Sequence, residues 1–288
     1  GTKVYKSMDQ LKNLLKESSI DEVFFAMDLK LIPNVDKIFM YLDIVGVSYH
    51  IMINESVHNY LDHNTGLEPI ASSYNGVSML SFHAISANYV ALFFKDIIEK
   101  IGAGILIILS FPLLVVFGLI IKFTSKGPIF FKQERVGLRG RKFYQYKLRS
   151  MVSNAEELKN QYLHLNEQSG PVFKIKQDPR LTKVGKFIRK FSIDELPQLF
   201  NVLMGDMTLI GPRPPVPSEV EKYKDSDLRR LSMKPGITGL WQVSGRNDIK
   251  DFDQWVKLDL EYIDNWSFVL DLKIAIKTVS VVFSGSGM

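Results

Sequence analysis

The stretch IGAGILIILSFPLLVVFGLII, residues 101–121, decides the fold class because it carries no charged side chain over 21 positions. At about 1.5 Å per residue, a helix of this length spans the roughly 30 Å hydrocarbon core of a bilayer. The sequence therefore predicts a membrane-associated protein whose membrane segment, with its flanks, covers residues 89–126.

Pro112 lies near the centre of this segment, with Ser110 two residues before it. Proline removes a backbone donor and kinks a helix, and a serine hydroxyl can bond a carbonyl that the proline leaves free. Lysines flank both ends, so the positive-inside rule favours neither side: Lys95, Lys100, Lys122 and Lys126. We expect a re-entrant helix that bends at Ser110 and Pro112 and returns to the cytoplasmic face. A kinked single span is the alternative.

Residues 1–88 have the pattern of a small α/β unit. A helical apolar spacing over 8–20 is followed by short apolar runs at 21–27 and 46–53, which predict strands. Alternating helix and strand favours a parallel, doubly wound sheet. No glycine-rich phosphate loop follows either strand, which favours a scaffolding or regulatory role. Since the chain starts at Gly1 rather than Met, we expect it to be part of a longer protein.

The composition excludes several classes of protein. Hydrophobic residues make up 46% of the chain, too many for a disordered protein. The absence of cysteine excludes disulfides and thiolate metal sites, and the five histidines lack the spacing of a zinc helix. A net charge of +5 suits anionic partners such as phosphates or acidic lipids. Nucleic acid is not an expected partner, because the long uncharged segment does not fit a soluble basic surface.

Residues 127–288 form a polar domain that must hold any chemistry. The sequence PIFFKQERVGLRGRKFYQYKLRSM, residues 128–151, predicts a β-hairpin turning at GLRG. Ser153 and Glu156 have capping-box spacing and predict a helix over Ser153–Leu165. Two further stretches, 251–263 and 269–283, are apolar on one face, which suits either the lipid headgroup layer or ordinary core packing.

The adjacent acids Asp194 and Glu195 are the first candidates for catalysis. They lie in KFSIDELPQLFNVL, just inside a predicted helix capped by Ser192 or Asp194. Acids at a helix start are often solvated residues that favour the helix dipole. A helix N-terminus also attracts phosphate, however, so carboxylates placed there among cations can hold Mg²⁺ against a diphosphate.

Cations are abundant in the same domain, and we expect most of them to be surface charges. They are Arg135, Lys147, Arg149, Lys174, Lys176, Arg180, Lys183, Arg189 and Arg213. Arg213 is the strongest candidate for binding phosphate because Pro212 and Pro214 stiffen the backbone around it; the alternative is a structural pair with a helix carboxylate. The glycine-rich KPGITGLWQVSGRN, residues 234–247, with Trp241 and Arg246, is either a loop closing over a nucleotide or a structural loop.

Four runs of sequence together resemble the catalytic domain of the monotopic polyprenyl-phosphate phosphoglycosyl transferases, over about residues 90–283. The runs are ERVGLRGRKFYQYKLRSM (134–151), FKIKQDPRLTKVGKFIRKFSIDELPQLFNVLMGDMTLIGPRP (173–214), KPGITGLWQVSGRN (234–247) and DLEYIDNWSFVLDLKI (259–274). Larger members of the family carry membrane helices and a Rossmann-like domain ahead of the catalytic part. Residues 1–88 look like the remainder of that domain, and 127–288 like a helix-rich α+β catalytic domain.

The resemblance implies an enzyme of the bacterial cytoplasmic membrane, facing the cytoplasm, that begins exopolysaccharide, capsule or lipopolysaccharide assembly. Its substrates would be a UDP-sugar and undecaprenyl phosphate, with Mg²⁺ as cofactor. The family's catalytic and metal-binding dyad falls on Asp194 and Glu195, and its Pro-Arg-Pro element falls on Pro212, Arg213 and Pro214. The family's re-entrant helix breaks at an adjacent Ser-Pro, whereas Phe111 separates the two residues here.

We expect Asp194 to attack the sugar-linked phosphorus and Glu195 to hold metal or handle a proton. Phosphate contacts are expected from Arg213, Lys147, Arg149, Arg135 and Arg246, while Asp178 precedes Pro179 and shapes a turn. Two alternatives stay open: a metal-dependent glycosyltransferase that releases UDP, and a non-catalytic membrane scaffold. The sequence leans only weakly towards glucose or galactose as the sugar, and a homodimer through the N-terminal unit is a further hypothesis.

Overall fold

The computed structural model describes residues 8–53, 70–83, 89–175, 177–245, 249–283 and 285. The chain divides into two compact units. The first contains residues 1–86 together with 138–141 and 223–232, and the second contains 87–137, 142–222 and 233–288.

The first unit has a four-stranded sheet in the order β1-β2-β4-β3. Its elements are α1 (Met8–Glu17), β1 (Glu22–Phe25), α2 (Val35–Val45), β2 (Ser48–Met52), β3 (Ile70–Tyr74) and β4 (Val77–Phe82), with a 3₁₀ turn at Leu29–Leu31 and another at Asp225–Ser232. Phe39, Tyr49 and Phe82 stack on one another in the core between α2 and the sheet. The predicted helix at 8–20 and the predicted strands at 21–27 and 46–53 are confirmed.

The predicted doubly wound parallel sheet is wrong for the described strands. β1 runs parallel to β2, but β4 runs antiparallel to β2 and forms a hairpin with β3. The physical reason is the turn at Asn75 and Gly76, whose φ angles of 49° and 81° suit a two-residue hairpin. The Rossmann-like assignment of residues 1–88 stays a prediction.

The second unit begins with one long helix, α3 (Tyr89–Thr124), which continues through Pro112 without interruption. The Ser110 hydroxyl donates to the carbonyl of Ile107 at 3.3 Å, not to that of Ile108, which the proline leaves without its usual donor. The helix is long and apolar enough to cross a membrane, and only 22% of its most apolar window is buried, unlike a core helix of a soluble protein. The predicted bend and re-entry stay predictions.

The rest of the second unit packs against one side of α3. Its elements are β5 (Phe130–Val136), β6 (Lys142–Leu148), α4 (Ala155–Lys159), α5 (Lys183–Lys190), α6 (Gln198–Met204), β7 (Thr208–Ile210), α7 (Pro217–Val220), β8 (Gly236–Thr238), α8 (Leu240–Val243), α9 (Phe252–Asp264) and α10 (Phe268–Phe283). Ala103 of α3 contacts a cluster from α6 and the chain after it, whereas Leu114 and Ile121 pack with Leu148 and Ile188.

The sequence places these elements well, with one correction. The β5–β6 hairpin forms as predicted, paired from Phe130 opposite Leu148 to Val136 opposite Lys142. The predicted capping box at Ser153 does not form, because α4 starts at Ala155 after Asn154 and continues only as a 3₁₀ turn over Asn160–Leu165. Both C-terminal stretches are helices.

The sequence left core packing and the lipid headgroup layer open for the two C-terminal helices, and the structure favours a different one for each. Trp255 of α9 is buried, which is core packing. α10 instead exposes a series of large apolar side chains: Phe268, Val269, Leu272, Ile276, Val279 and Phe283. Such a face suits the headgroup layer.

Candidate functional site

A cleft of about 300 Å³ lies in the second unit, at the lower end of the usual range for small-molecule sites. It brings together the hairpin, the 3₁₀ turn that carries Asp194 and Glu195, the loop around Arg213 and helix α8. Seven basic side chains line it against five acidic ones. The basic ones are Arg135, Lys147, Lys159, Lys174, Arg180, Arg189 and Arg213, and the acidic ones are Glu156, Asp178, Asp194, Glu195 and Glu219. This balance suits an anionic ligand.

One face of the β5–β6 hairpin forms a wall of the cleft. Phe131, Gln133 and Arg135 of β5 and Gln145 and Lys147 of β6 all line it. They share a face because side chains alternate along a strand and because Phe131 lies opposite Lys147 and Gln133 opposite Gln145.

The hairpin is fixed to helix α6 by buried amide side chains. Asn201 accepts from the backbone N–H of Tyr146 at 3.1 Å and donates to the carbonyl of Tyr144 at 2.7 Å. The Gln145 amide donates to Gln198 at 2.9 Å. These bonds hold the hairpin wall in place relative to the turn that precedes α6.

Asp194 and Glu195 lie on a short 3₁₀ turn, Ile193–Glu195, and not inside an α-helix as predicted. Ser192 precedes the turn, but its φ of 54° turns the chain in the left-handed region and its side chain makes no capping bond. The α-helix begins only at Gln198, after Pro197. The sharp turn at Ser192 directs the nearly buried Asp194 carboxylate, 5% exposed, into the cleft wall.

Lys147 and Glu195 form an ion pair across the cleft, with Nζ and Oε1 3.0 Å apart. Burial lowers the pKa of the Lys147 ammonium, and the nearby Glu195 and Asp194 carboxylates offset this only in part. The Glu195 carboxylate is therefore held in place by a cation that loses its proton more easily than an ordinary lysine.

Arg189, from the last turn of α5, is the cation nearest Asp194. Its Nε lies 3.9 Å from Asp194 Oδ2 and donates to the Ser150 hydroxyl at 3.0 Å. In the part of the chain that the structure describes, its two terminal nitrogens have no hydrogen-bond partner, and one third of the side chain is exposed. The two terminal nitrogens of Arg189 are thus available to donate hydrogen bonds to a ligand beside Asp194.

Arg213 lines the cleft and is also paired. It binds Glu219 of α7 with both terminal nitrogens, at 2.9 and 3.4 Å, and its guanidinium lies 5.1 Å from the centre of the Trp255 ring. Both interpretations of Arg213 thus have support. The predicted pair with a helix carboxylate exists, and the Arg213 guanidinium also borders the cleft, where it could bind phosphate.

Arg135 lies beside Arg213 and donates to the carbonyl of Pro214 at 2.9 Å and to Gln133 at 2.8 Å. Burial, with the charge of Arg213, lowers the pKa of Arg135 to about 9, which leaves it cationic at pH 7. Its Nε is buried without a hydrogen-bond partner among the described residues.

Asp178 shapes a turn, as predicted. Its carboxylate accepts from the backbone N–H and from the guanidinium of Arg180, at 2.6 to 3.0 Å. Burial alone would raise the pKa of Asp178, but the bonds from Arg180 outweigh it, and the pKa is lowered.

In the glycine-rich segment 234–247, Gly236 and Gly239 are needed for close backbone packing, whereas helix α8 borders the cleft. A Cβ on Gly236 or Gly239 would lie 2.1 or 2.3 Å from the backbone of Gly211, so close packing excludes any side chain there. In α8, the Gln242 amide donates to the carbonyl of Ile237 at 3.1 Å, and its Oε1 is buried without a partner among the described residues.

The prediction that Arg149 binds phosphate does not fit its position. Its guanidinium donates to the carbonyls of Ser125 and Lys126 at 2.8 and 2.7 Å and to the Ser125 hydroxyl at 2.9 Å, just past the end of α3. It does not line the cleft. A cation at a helix C-terminus satisfies free carbonyls and complements the dipole, so Arg149 is a structural cap. Arg246 and Lys176 lie outside the described residues.

A metal would have two carboxylates available in the cleft, Asp194 and Glu195. Within the described ranges there is no group of three or more His, Asp or Glu side chains that could hold an ion by themselves. Mg²⁺ usually keeps several waters and binds one or two carboxylates plus substrate phosphates, so this donor set fits Mg²⁺ when a phosphate ligand is present.

Among the uncharged residues of the cleft, the sequence analysis pointed to Trp241 and missed the others. The missed residues include Gln133, Gln145, Gln198, Gln242 and Trp255. For the two hairpin glutamines a signal existed, because they alternate with Arg135 and Lys147 at a period of two. Trp241 and Trp255 meet only in three dimensions, with ring centres 3.9 Å apart.

Comparisons with known proteins show which proteins this chain resembles in sequence. The chain is 42% identical over 281 residues to the galactosyl transferase CpsE of Streptococcus agalactiae serotype III, covering 97% of this chain and 61% of CpsE. It is 42% identical over 234 residues to the undecaprenyl-phosphate galactose phosphotransferase of Salmonella typhimurium, covering 78% and 47%. It is 33% identical over 279 residues to the UDP-glucose:undecaprenyl-phosphate glucose-1-phosphate transferase of Klebsiella pneumoniae, covering 94% and 56%.

The chain thus spans about half to three fifths of the length of these relatives. The family model described as bacterial sugar transferase matches residues 90–285, which include all of α3 except Tyr89 and every residue of the cleft. The chain therefore belongs to the bacterial sugar transferase family.

Proposed function

We propose that the protein transfers hexose 1-phosphate from a UDP-sugar to undecaprenyl phosphate and releases UMP. The observation that carries the proposal is a nearly buried carboxylate, Asp194, beside an arginine with unused donors, Arg189, in a cleft with excess positive charge. The names of the Salmonella and Klebsiella relatives describe this class of reaction.

In the proposed first step, an Asp194 oxygen attacks the sugar-linked phosphorus of the UDP-sugar. A phosphorus–oxygen bond to Asp194 forms, the bond to the bridging oxygen breaks, and UMP leaves with that oxygen. In the second step, an oxygen of undecaprenyl phosphate attacks the same phosphorus and the bond to Asp194 breaks. The products are the lipid diphosphate sugar and the original carboxylate.

The cations of the cleft would stabilise the charge on the transferring phosphoryl group. Arg189 would donate to its oxygens from beside Asp194, and Arg213, held by Glu219, would act from a fixed position. Lys147 would keep Glu195 oriented towards the same region. Mg²⁺, held by Asp194, Glu195 and the substrate phosphates, would supply further neutralisation of the diphosphate charge.

The two substrates would approach from different sides. Helix α5, which carries Arg189, packs on the apolar helix α3 through Phe187, whose ring stacks on Phe117 at 5.8 Å. The lipid phosphate would therefore reach Arg189 from the membrane side. The nucleoside would lie towards α8, where Gln242 offers an unused acceptor oxygen to a base N–H.

The same proposal places the protein at the cytoplasmic membrane of a bacterium, with the cleft facing the cytoplasm and α3 re-entering on that side. The length and exposure of α3 and the exposed apolar face of α10 support the membrane association in this proposal. Both galactose and glucose occur in the relatives' names, so either hexose fits.

The test is to identify the nucleotide released from a panel of UDP-sugars with undecaprenyl phosphate and Mg²⁺ in detergent. UMP is the expected product, and UDP would instead identify a glycosyltransferase that moves the sugar alone. Asp194→Asn should abolish turnover while UDP-sugar binding persists. Lys186→Gln, an exposed change on α5 outside the cleft, is the matched control.

A further inference from the structure

A buried charged network joins α3, α10 and strand β7 on the side of α3 that packs against the rest of the second unit. Lys95 Nζ lies 2.7 Å from Glu99 Oε1 and 2.6 Å from Asp271 Oδ2. None of the three residues is more than 7% exposed. One lysine lies between two carboxylic acid groups here, and a protein interior tolerates such a cluster only when its polar atoms are well bonded.

The remaining bonds of Glu99 go to the backbone of β7. Its Oε2 accepts from the N–H of Leu209 at 3.1 Å, and its Oε1 accepts from the N–H of Ile210 at 3.3 Å. A single carboxylate of α3 thus holds two consecutive backbone amides of that strand.

Asp271 completes the network from the other side. It accepts from the Trp266 indole N–H at 2.9 Å and from the Tyr262 hydroxyl at 2.7 Å. The same hydroxyl lies 2.9 Å from the carbonyl oxygen of Ile210. The N–H of Ile210 is therefore held by Glu99, while its carbonyl oxygen lies next to the Tyr262 hydroxyl that donates to Asp271.

Strand β7 ends at Ile210, and Arg213 follows three residues later. The intervening chain has little freedom. The N–H of Gly211 donates to the carbonyl of Thr238 at 2.8 Å, and Pro212 and Pro214 restrict the backbone on both sides of Arg213. A shift of Ile210 would therefore be passed on to the Arg213 guanidinium.

We propose that Glu99 is a positioning residue for Arg213, so that the placement of α3 sets the position of the Arg213 guanidinium in the cleft. The proposal rests on the proposed function, in which Arg213 acts on the transferring phosphoryl group. Glu99 touches neither substrate and acts only through the Leu209 and Ile210 amides.

A double-mutant cycle in kcat/KM for UMP release tests this role. Glu99→Gln keeps the side-chain shape but presents an NH₂ group to the Lys95 ammonium or to the backbone donors. We expect a loss of about 100-fold, the usual scale for a catalytic group displaced by about 1 Å. Arg213→Lys keeps a charge for Glu219 but loses the planar fork.

If Glu99 acts through Arg213, the double variant Glu99→Gln/Arg213→Lys should lose little more than Arg213→Lys alone, within about threefold. A merely structural role of Glu99 would make the two losses multiply, and that result would overturn the proposal. Lys100→Gln is the matched control: it breaks a half-exposed pair with Asp96 on the same helix and should keep the activity of the parent chain.

Two further measurements keep the outcome clear. If Glu99→Gln does not fold in detergent, Glu99→Asp retains the charge but shortens the reach to the amides, and the same cycle is run with it. The unaltered chain must release UMP in the same assay. Release of UDP would refute the proposed function, whereas release of UMP with multiplying losses would refute the role of Glu99 alone.

Discussion

Arg189→Gln gives the sharpest test of the cleft, because Arg189 has unused donors next to Asp194. The change keeps a polar side chain and removes the charge and the fork of terminal nitrogens. Three other cations of the cleft are already paired with acids and cannot replace it easily. Arg180 is held by Asp178, Lys147 by Glu195 and Arg213 by Glu219.

The expected loss follows from the two terminal nitrogens of Arg189. Each would donate one charge-assisted bond to the phosphoryl oxygens, worth about 1.5–3 kcal/mol. Since one third of the side chain is exposed, the lower value applies to each bond. The sum of about 3 kcal/mol corresponds to a loss of about 100-fold in kcat/KM.

The assay is the initial rate of UMP release at several UDP-sugar and undecaprenyl phosphate concentrations, with Lys186→Gln as the control on the same helix. Arg189→Lys should recover part of the loss because it restores a point charge without the fork. A rate for Arg189→Gln within about threefold of the parent chain would refute the assignment of Arg189 to the phosphoryl group.

Three further predictions follow from single side chains. Burial lowers the pKa of Lys147, so activity should fall on the alkaline side at a pH below the usual lysine pKa of about 10.4. In a pH–rate profile, Lys147→Arg should move this fall in activity to higher pH. Arg149→Met should lower the melting temperature, because the carbonyls that it leaves unbonded cost about 3 kcal/mol of stability. The KM for the UDP-sugar should stay within about twofold of the parent value. A raised KM with an unchanged melting temperature would contradict the capping role. Gly185→Ala places a Cβ 1.8 Å from the carbonyl oxygen of Ser150. The free energy of unfolding should therefore fall by about 3 kcal/mol or more in a thermal unfolding experiment. An unchanged melting temperature would contradict this packing.

Local sequence signals predicted the elements that depend on neighbours in the chain. The run without charges gave α3, and the GLRG turn between alternating strands gave the β5–β6 hairpin. The hairpin turn at Asn75 and Gly76 carried an equally strong local signal, yet the alternation of helix and strand before it favoured a parallel sheet. The two-residue turn makes β3 and β4 antiparallel, so the alternating pattern of the preceding elements does not extend past it.

The candidate site was less predictable because it depends on pairs far apart in sequence. Arg149 and Arg189 are both arginines among apolar and basic neighbours, and nothing local distinguishes them. Arg149 donates to the carbonyls of residues 125 and 126, whereas Arg189 donates to Ser150 and lies beside Asp194. The left-handed turn at Ser192 was also hidden, because a serine before two acids ordinarily predicts a helix cap.

The shared register of the β5–β6 hairpin limits how the cleft wall can change in evolution or by design. Substitution at Gln133, Arg135, Gln145 or Lys147 alters the chemistry of the wall one position at a time. Inserting or deleting one residue within β5 would instead exchange the two faces and turn Lys132 and Glu134 inward. New specificity on this wall is therefore accessible by point substitution, whereas a change of strand length replaces the whole wall at once.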